Sequence, residues 1–282
     1  MKGLLLFFAK RYIAGDESKD AINVVKHLNA LGILATIDHL GENVTEPSHT
    51  ESAVNEYLGL LDDIKAAKVN SAVSLKLTHL GLDISKELTE KNAEAIIKRA
   101  TELDNFVTLD MEGSAYTQKT IDIFLRLHEK YPKTMIAIQS YLYRSASDIR
   151  LLIEKRASVR LVKGAYKEPP QIAFPKKRDV DKSYEEIMKS LFLKGGPPAI
   201  ATHDERLINE AIRFAEENHI PKERFEFQML LGIKRTLQKR LADSGYRVRV
   251  YVPYGTHWLP YTLRRFRERK ENIFFVIRNI FD

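Results

Sequence analysis

Residues 106–139, FVTLDMEGSAYTQKTIDIFLRLHEKYPKTMIAIQ, hold the fold in miniature. Phe106 to Asp110 is a short, β-rich apolar run that ends on a carboxylate. Thr117 to Tyr131 has the apolar spacing of an amphipathic helix, and Met135 to Gln139 is a second apolar run, ending on an amide. Strands this continuously apolar are the kind buried on both faces of a parallel sheet. A strand, a covering helix and another strand make one βαβ unit.

The unit repeats in both directions. Further strands are expected at 34–40, 72–77, 159–163, 199–202, 225–229 and from Arg247 through Val252, and helices at 18–31, 51–68, 90–104, 146–155, 182–192, 205–218 and 233–244. Roughly eight strands alternating with helices favour an α/β fold, a (βα)8 barrel of the TIM type. A doubly wound open sheet is the rival, but no G-x-G-x-x-G follows the first strand. Residues 1–282 read as one catalytic barrel domain, with 1–32 as an N-terminal helical arm and 33–282 as the barrel. After Pro253 and Gly255 a last helix is expected beyond Pro260, with Tyr261, Arg264, Arg265 and Glu268 on one face. Such a face grips a small zwitterion, the guanidiniums taking its carboxylate. A solvated basic helix is the plain alternative.

The chain has 282 residues, 44% of them hydrophobic and 29% charged, which is ordinary globular material. Zero cysteines exclude disulfides, thiolate metal sites and a cysteine nucleophile, and fit a cytoplasmic protein. The net charge of +7 suits an anionic substrate, cofactor phosphates or an acidic membrane surface. No apolar run reaches the roughly 18 residues that span a bilayer. The opening MKGLLLFFAKRY reads as a first helix rather than a signal peptide, its apolar core being too short. The run Asn272 to Phe281 reads as a helix packed on the barrel's own core, with lipid contact as the alternative.

A barrel enzyme places its chemistry where the strands end. Those ends carry Lys76, Asp110 with Glu112, Gln139, Arg160 and Lys163 followed by Gly164-Ala165-Tyr166, then Thr202-His203-Asp204, Gln228 and Tyr251. A barrel built for stability alone would seldom gather these groups in series. Taken singly, Lys76 reads as a Schiff-base lysine, a carboxylate anchor or a structural partner of Asp110. His203 reads equally as a hydrogen-bonding residue or an acid or base. No HxH or HExxH spacing groups His203, Asp204, Asp110 and Glu112 into a metal site, so none is expected. Gly164-Ala165 lets backbone approach a flat or phosphorylated ligand.

The segments Val159 to Tyr166, Ala201-Thr-His203, Phe225 to Gln228 and Tyr261-x-x-Arg264-Arg265-x-x-Glu268, with Lys76 in SLKLT and Asp110 in LDMEGS, carry a joint order and spacing. With them the chain resembles the proline dehydrogenases, specifically the small monofunctional bacterial type, over nearly its whole length. The resemblance implies a distorted (βα)8 barrel with N-terminal helices, non-covalent FAD across the strand ends and the last helix lying over the active site. It implies oxidation of L-proline to Δ1-pyrroline-5-carboxylate, the first step of proline catabolism to glutamate, by hydride transfer to the flavin. Electrons would pass to a quinone, with peripheral contact at the inner face of the membrane.

By the same resemblance Asp110 and Arg160 are the catalytic residues, Asp110 orienting Lys76 and the flavin edge and Arg160 placing positive charge near the flavin. Lys76, Arg264 and Arg265 hold the substrate carboxylate, and Tyr166, Leu230, Tyr251 and Tyr261 wall its ring. Glu268 pairs with the arginines. Met111, Gln139, Lys163, Gly164, Ala165, Thr202, His203 and Gln228 line the cofactor. The amine is expected to react neutral. The stretch Gly255 to Pro260 is short for the family, which bears on how the helix closes, and Gly113 and Tyr116 receive no role. Three rivals remain: a flavoenzyme for hydroxyproline or another imino acid, a barrel lyase with a Schiff base on Lys76 or Lys163, and a nucleic-acid module on the basic helix. The last leaves the strand ends unexplained, so no nucleic-acid partner is expected.

Overall fold

The computed structural model describes residues 11–268, with side chains as far as Leu263. The expected C-terminal helix at 272–281 lies outside the described residues, as does the expected first helix apart from Arg11 and Tyr12, which form a turn. The side chains of Arg264, Arg265 and Glu268 are likewise outside them.

Eight strands, β1 (Leu34–His39), β2 (Ser71–Leu75), β3 (Val107–Leu109), β4 (Thr134–Gln139), β5 (Ser158–Val162), β6 (Ala199–Ala201), β7 (Glu226–Leu230) and β8 (Arg247–Tyr254), run parallel in sequence order and close into a barrel. The seam is long: β8 pairs with β1 from Arg249 opposite Leu34 to Tyr254 opposite His39. The connecting helices are α2 (Pro47–Ala67), α3 (Lys86–Glu102), α4 (Ser114–Lys130), α5 (Ser145–Glu154), α6 (Lys177–Lys194), α7 (Glu205–Glu217) and α8 (Arg235–Asp243). Several start earlier than apolar spacing suggests, because their first turns are set by caps. Helix α2 opens on Pro47, which lacks a donor where none is needed. Helix α3 opens behind Ser85, whose hydroxyl accepts from Leu88 N at 3.2 Å.

A barrel of this type seats a helix between its last strand and its first. Here that seat is taken by α1 (Ser18–Ala30), which precedes β1 and packs on β1, β8 and α2. The helix after β8, α9 (Trp258–Glu268), lies instead at the mouth. Tyr261 is buried there with Tyr12, Ile13, Leu40 and Ile233, beside Leu230 and Trp258. This is the distorted (βα)8 arrangement. Helix α9 begins before Pro260 rather than after it, since a proline in the first turn gives up no intrahelical bond.

The two faces of the strands differ. Ile37, Val73, Leu75, Leu109, Ile136, Val159, Leu161, Phe227 and Val250 belong to the apolar core that the helices cover. The alternate positions Thr36, Asp38, Ser74, Thr108, Arg160, Glu226, Gln228 and Arg249 point inward and are all buried. The barrel is therefore apolar outside and polar inside. Its floor is the pair Arg249 and Glu226, with Nε to Oε1 at 2.7 Å and Nη2 to Oε2 at 3.1 Å. Arg249 Nη1 also donates to Ala35 O at 2.7 Å, and Gln228 Nε2 donates to Glu226 Oε1 at 2.6 Å. Beside the mouth, the rings of His39 and His79 lie 5.2 Å apart, and His39 stacks on Tyr254 at 5.1 Å.

Removing one member of a buried ion pair leaves the other charge uncompensated. Arg249→Met should therefore lower stability by about 3–5 kcal/mol in urea denaturation. A loss no larger than that of an exposed arginine would contradict this role. Burial, and secondarily His39, push the His79 imidazole down to about 3. An unfolded histidine titrates near ~6.5, so neutral His79 stabilises fully above that pH, and the contribution is lost as pH falls from there toward 3. The acid limb of a stability–pH curve should flatten in His79→Asn; an unchanged limb would rule the assignment out.

Candidate active site

The strand ends surround a cavity of about 440 Å³. Lys76 enters it just past β2, Asp110 and Met111 past β3, Gln139 from β4, and Arg160 from β5. Lys163, Gly164, Ala165 and Tyr166 follow β5; Thr202 and His203 follow β6; Gln228 and Leu230 come from β7 and Tyr251 from β8. Tyr261 closes one side from α9. Every site residue expected from the sequence thus lines this cavity, apart from Arg264, Arg265 and Glu268. Those three have backbones in α9 on the helical face of Tyr261, and their side chains lie outside the described residues. Ala137, Val162, Ala201 and Met229, to which sequence reasoning gave no role at the site, also line it. Small and aliphatic residues carry no chemical signal that marks a wall.

Asp110 is the centre of the polar wall. Its Oδ1 accepts from Arg160 Nη1 and, at 2.6 Å, from Ser74 Oγ; its Oδ2 accepts from the Tyr251 hydroxyl at 2.6 Å. Burial works against ionisation, but Arg160 and Lys76, followed by the Ser74 and Tyr251 hydrogen bonds, outweigh it and hold the carboxyl below its ordinary range. Arg160 also donates Nε to Gln228 Oε1 at 2.6 Å, and its guanidinium lies 5.5 Å from the Tyr251 ring centre. The Nη2 of Arg160 is buried with no hydrogen-bond partner among the described residues. Such a donor marks a place where an acceptor belongs.

Lys76 has a different principal partner from the one expected. Its Nζ lies 2.6 Å from Asp38 Oδ2, against 3.5 Å from Asp110 Oδ2, and donates to the Tyr251 hydroxyl at 3.2 Å. Burial alone would discharge it, but Asp38 and then Asp110 more than compensate, so the ammonium is held charged well above the ordinary lysine range. An amine that forms a Schiff base must be neutral. A permanently charged Lys76 suits an anion anchor better than a Schiff-base nucleophile.

The remaining groups are fixed. Lys163 pairs with Asp181 at 2.6 Å and Asp204 at 2.8 Å. His203 Nε2 accepts from Leu230 N at 2.9 Å, so a neutral ring carries its proton on Nδ1. Glu112 turns away to Thr78, accepting from its N at 3.1 Å and from its hydroxyl, and Gln139 Nε2 donates to Glu112 O at 2.9 Å. The four residues weighed as metal ligands are thus committed to other partners, and among the described residues no group of three or more His, Asp or Glu could hold an ion. Gly164 has φ +117°, and a Cβ there would lie 2.5 Å from the Tyr141 ring. Only glycine turns the chain there so that Ala165 and Tyr166 meet the cavity.

Charged anchors on one wall and aliphatic and aromatic side chains on the other suit a flat ring beside a small anion. Known proteins with this arrangement can be named. A proline dehydrogenase family model matches residues 21–278. Proline dehydrogenase 1 of Bacillus subtilis is 42% identical over 272 residues, covering 96% of this chain and 90% of that protein. Proline dehydrogenase of Deinococcus radiodurans is 39% identical over 277 residues, covering 96% and 89%. Among solved structures, proline utilization A from Bdellovibrio bacteriovorus, inactivated by N-propargylglycine, superposes with a TM-score of 0.87 at 28% identity. That match covers 92% of this chain, which spans only 32% of the larger protein. By sequence over nearly its whole length and by barrel geometry, the chain belongs to the proline dehydrogenase family of enzymes.

Proposed function

We propose that this enzyme oxidises L-proline to Δ1-pyrroline-5-carboxylate, the first step of proline catabolism to glutamate, using non-covalently bound FAD and a quinone as final acceptor. Residues 33–282 act as the catalytic barrel and 1–32 as its arm. The observation that carries the reading is Arg160: a buried guanidinium pinned by Asp110 and Gln228, with Nη2 left over at the cavity wall. An acceptor edge of a flavin fits that donor, and the close backbone at Gly164 suits a flat ring. Gln139, Lys163, Gly164, Ala165, Thr202, His203 and Gln228 would hold the cofactor with Arg160, and the backbone at Met111 would meet its ring. When bound, FAD supplies the two-electron acceptor for a hydride from the carbon beside the amine.

The protein's own residues do the rest. Asp110 fixes Arg160, and a cation so placed favours negative charge gained at the cofactor. Lys76, with Arg264 and Arg265 on α9, holds the substrate carboxylate, and Glu268 pairs with the arginines. Tyr166, Leu230, Tyr251 and Tyr261 exclude water around the ring. The Tyr251 hydroxyl already donates to Asp110 and is no spare donor for a ring hydroxyl, which favours proline over hydroxyproline. Among the described residues no helix is long and apolar enough to cross a membrane, so quinone access at the inner face would be peripheral.

The amine reacts neutral because hydride leaves a carbon beside nitrogen only when the nitrogen lone pair is free. A cationic site disfavours the protonated amine as well, although Lys76 and Arg160 are themselves matched by Asp38 and Asp110. The rate constant kcat/KM should accordingly rise with pH from neutral into the mildly alkaline range, and a flat profile would sink the idea. The purified protein should show a flavin absorption spectrum that bleaches on anaerobic addition of L-proline. A protein that cannot be reconstituted with FAD would overturn the proposal. Arg160→Gln should retain a measurable flavin content while kcat/KM falls on the order of 100- to 1,000-fold, the loss typical for one preorganised donor.

A further inference from the structure

The mechanism above gives no role to the buried carboxylate of Asp38. Asp38, the inward residue near the end of β1, is fully buried and does not reach the cavity. A carboxylate in that position is costly unless it is paired. Its partner is Lys76, 2.6 Å from Oδ2, and Lys76 does reach the cavity. The Tyr57 hydroxyl of α2 has two acceptors within reach of its proton, Asp38 Oδ1 at 3.4 Å and Ser74 O at 2.9 Å, and accepts from His39 N at 3.2 Å. Asp110 is the more distant and more heavily engaged partner of Lys76. It already accepts from Arg160, Ser74 and Tyr251, and Lys76 is 3.5 Å from it.

We propose that Asp38 is the positioning residue for substrate capture: it holds the Lys76 ammonium at the cavity floor, where it meets the substrate carboxylate, and leaves Asp110 to serve Arg160 and Tyr251. The two carboxylates divide the work. One acts from behind the lysine on binding, the other beside the arginine on the chemical step. The inference rests on the proposed substrate class only in that the ligand carries a carboxylate.

Several charged or titratable groups face Lys76. Asp38 from β1, Asp110 from β3, Tyr251 from β8 and Tyr166 after β5 act on it directly, with Arg160, Tyr57, Glu112 and the neutral His39 and His79 behind them. Burial lowers its proton affinity and the carboxylates raise it, Asp38 more than Asp110. Without the Asp38 charge, burial gains ground, and the ammonium is lost as pH rises.

The probe is cyclopentanecarboxylate, which keeps ring and carboxylate and lacks the amine, titrated calorimetrically into flavin-loaded protein. Asp38→Asn should weaken its binding on the order of 10- to 100-fold, as removal of a group that orients a ligating residue does. Flavin content should stay at the wild-type level, and the loss in kcat/KM for proline should fall mainly on KM. Affinity should stay flat for wild type from about pH 7 to about pH 10 and decline over that range in the variant. In a Lys76→Met background the Asp38→Asn change should add nothing further. Wild-type affinity in Asp38→Asn, or full additivity with Lys76→Met, would overturn the proposal. Should Asp38→Asn fail to fold, Tyr57→Phe should weaken binding in the same direction by about 2- to 5-fold, within the range of a single hydrogen bond. A wild-type affinity that itself declines around the ordinary lysine pKa of ~10.4 would then overturn it. If wild type neither binds the probe nor bleaches with proline, the assigned reaction falls, and this inference with it.

Discussion

Charge neutrality inside the barrel is the constraint on which the rest depends. From floor to mouth, Arg249 meets Glu226, Gln228 links Glu226 to Arg160, Arg160 meets Asp110, and Tyr251 bridges Asp110 to Lys76, which meets Asp38. Cations and anions match one for one along this path. Isolated charges in such an interior would be prohibitive, whereas a charge-matched, hydrogen-bonded network is rigid and specifies one arrangement. The groups proposed for catalysis are thus the upper end of a structural column. Arg160 keeps its orientation because Gln228 below it is held in turn by Glu226.

The second determinant is topological. Helix α1 fills the seat between β8 and β1, and α9 lies at the mouth, where Tyr261 is buried. The mouth gains a wall that no loop would supply as firmly, because helical spacing puts Tyr261, Arg264, Arg265 and Glu268 on one face. A barrel with α9 on the outside would leave the cavity without Tyr261 in its lining.

Much of this was legible in the sequence, for identifiable reasons. Alternating periods of about two and about four residues gave eight strands and their helices, and the polar residue ending each run marked the mouth. What escaped was the interior. Glu226 and Arg249 sit in runs whose neighbours are apolar, and a buried charge is intelligible only with its partner, which lies on another strand. Asp38 was hidden the same way. It alternates with Thr36 across Ile37, a period-2 signal for an inward position, but it lies one residue before the strand ends and so outside the set that strand ends alone pick out. Helix starts were missed where a leading proline or a capping hydroxyl rather than apolar spacing fixes them, as at Pro47 and Ser85.

The seam between β1 and β8 has a consequence for how the enzyme comes into being. Asp38 and Lys76 come from β1 and the end of β2, while the Tyr251 that bridges Lys76 to Asp110 comes from β8, near the far end of the chain. Pairing so distant in sequence carries a large loop-closure cost and forms late. During synthesis the first strands must wait with Asp38 already facing Lys76 and Asp110 lacking its phenol. Maturation of this enzyme is therefore all or nothing: a partly made barrel has no working fraction, and the redox pocket opens for use only when the last strand has closed the circle.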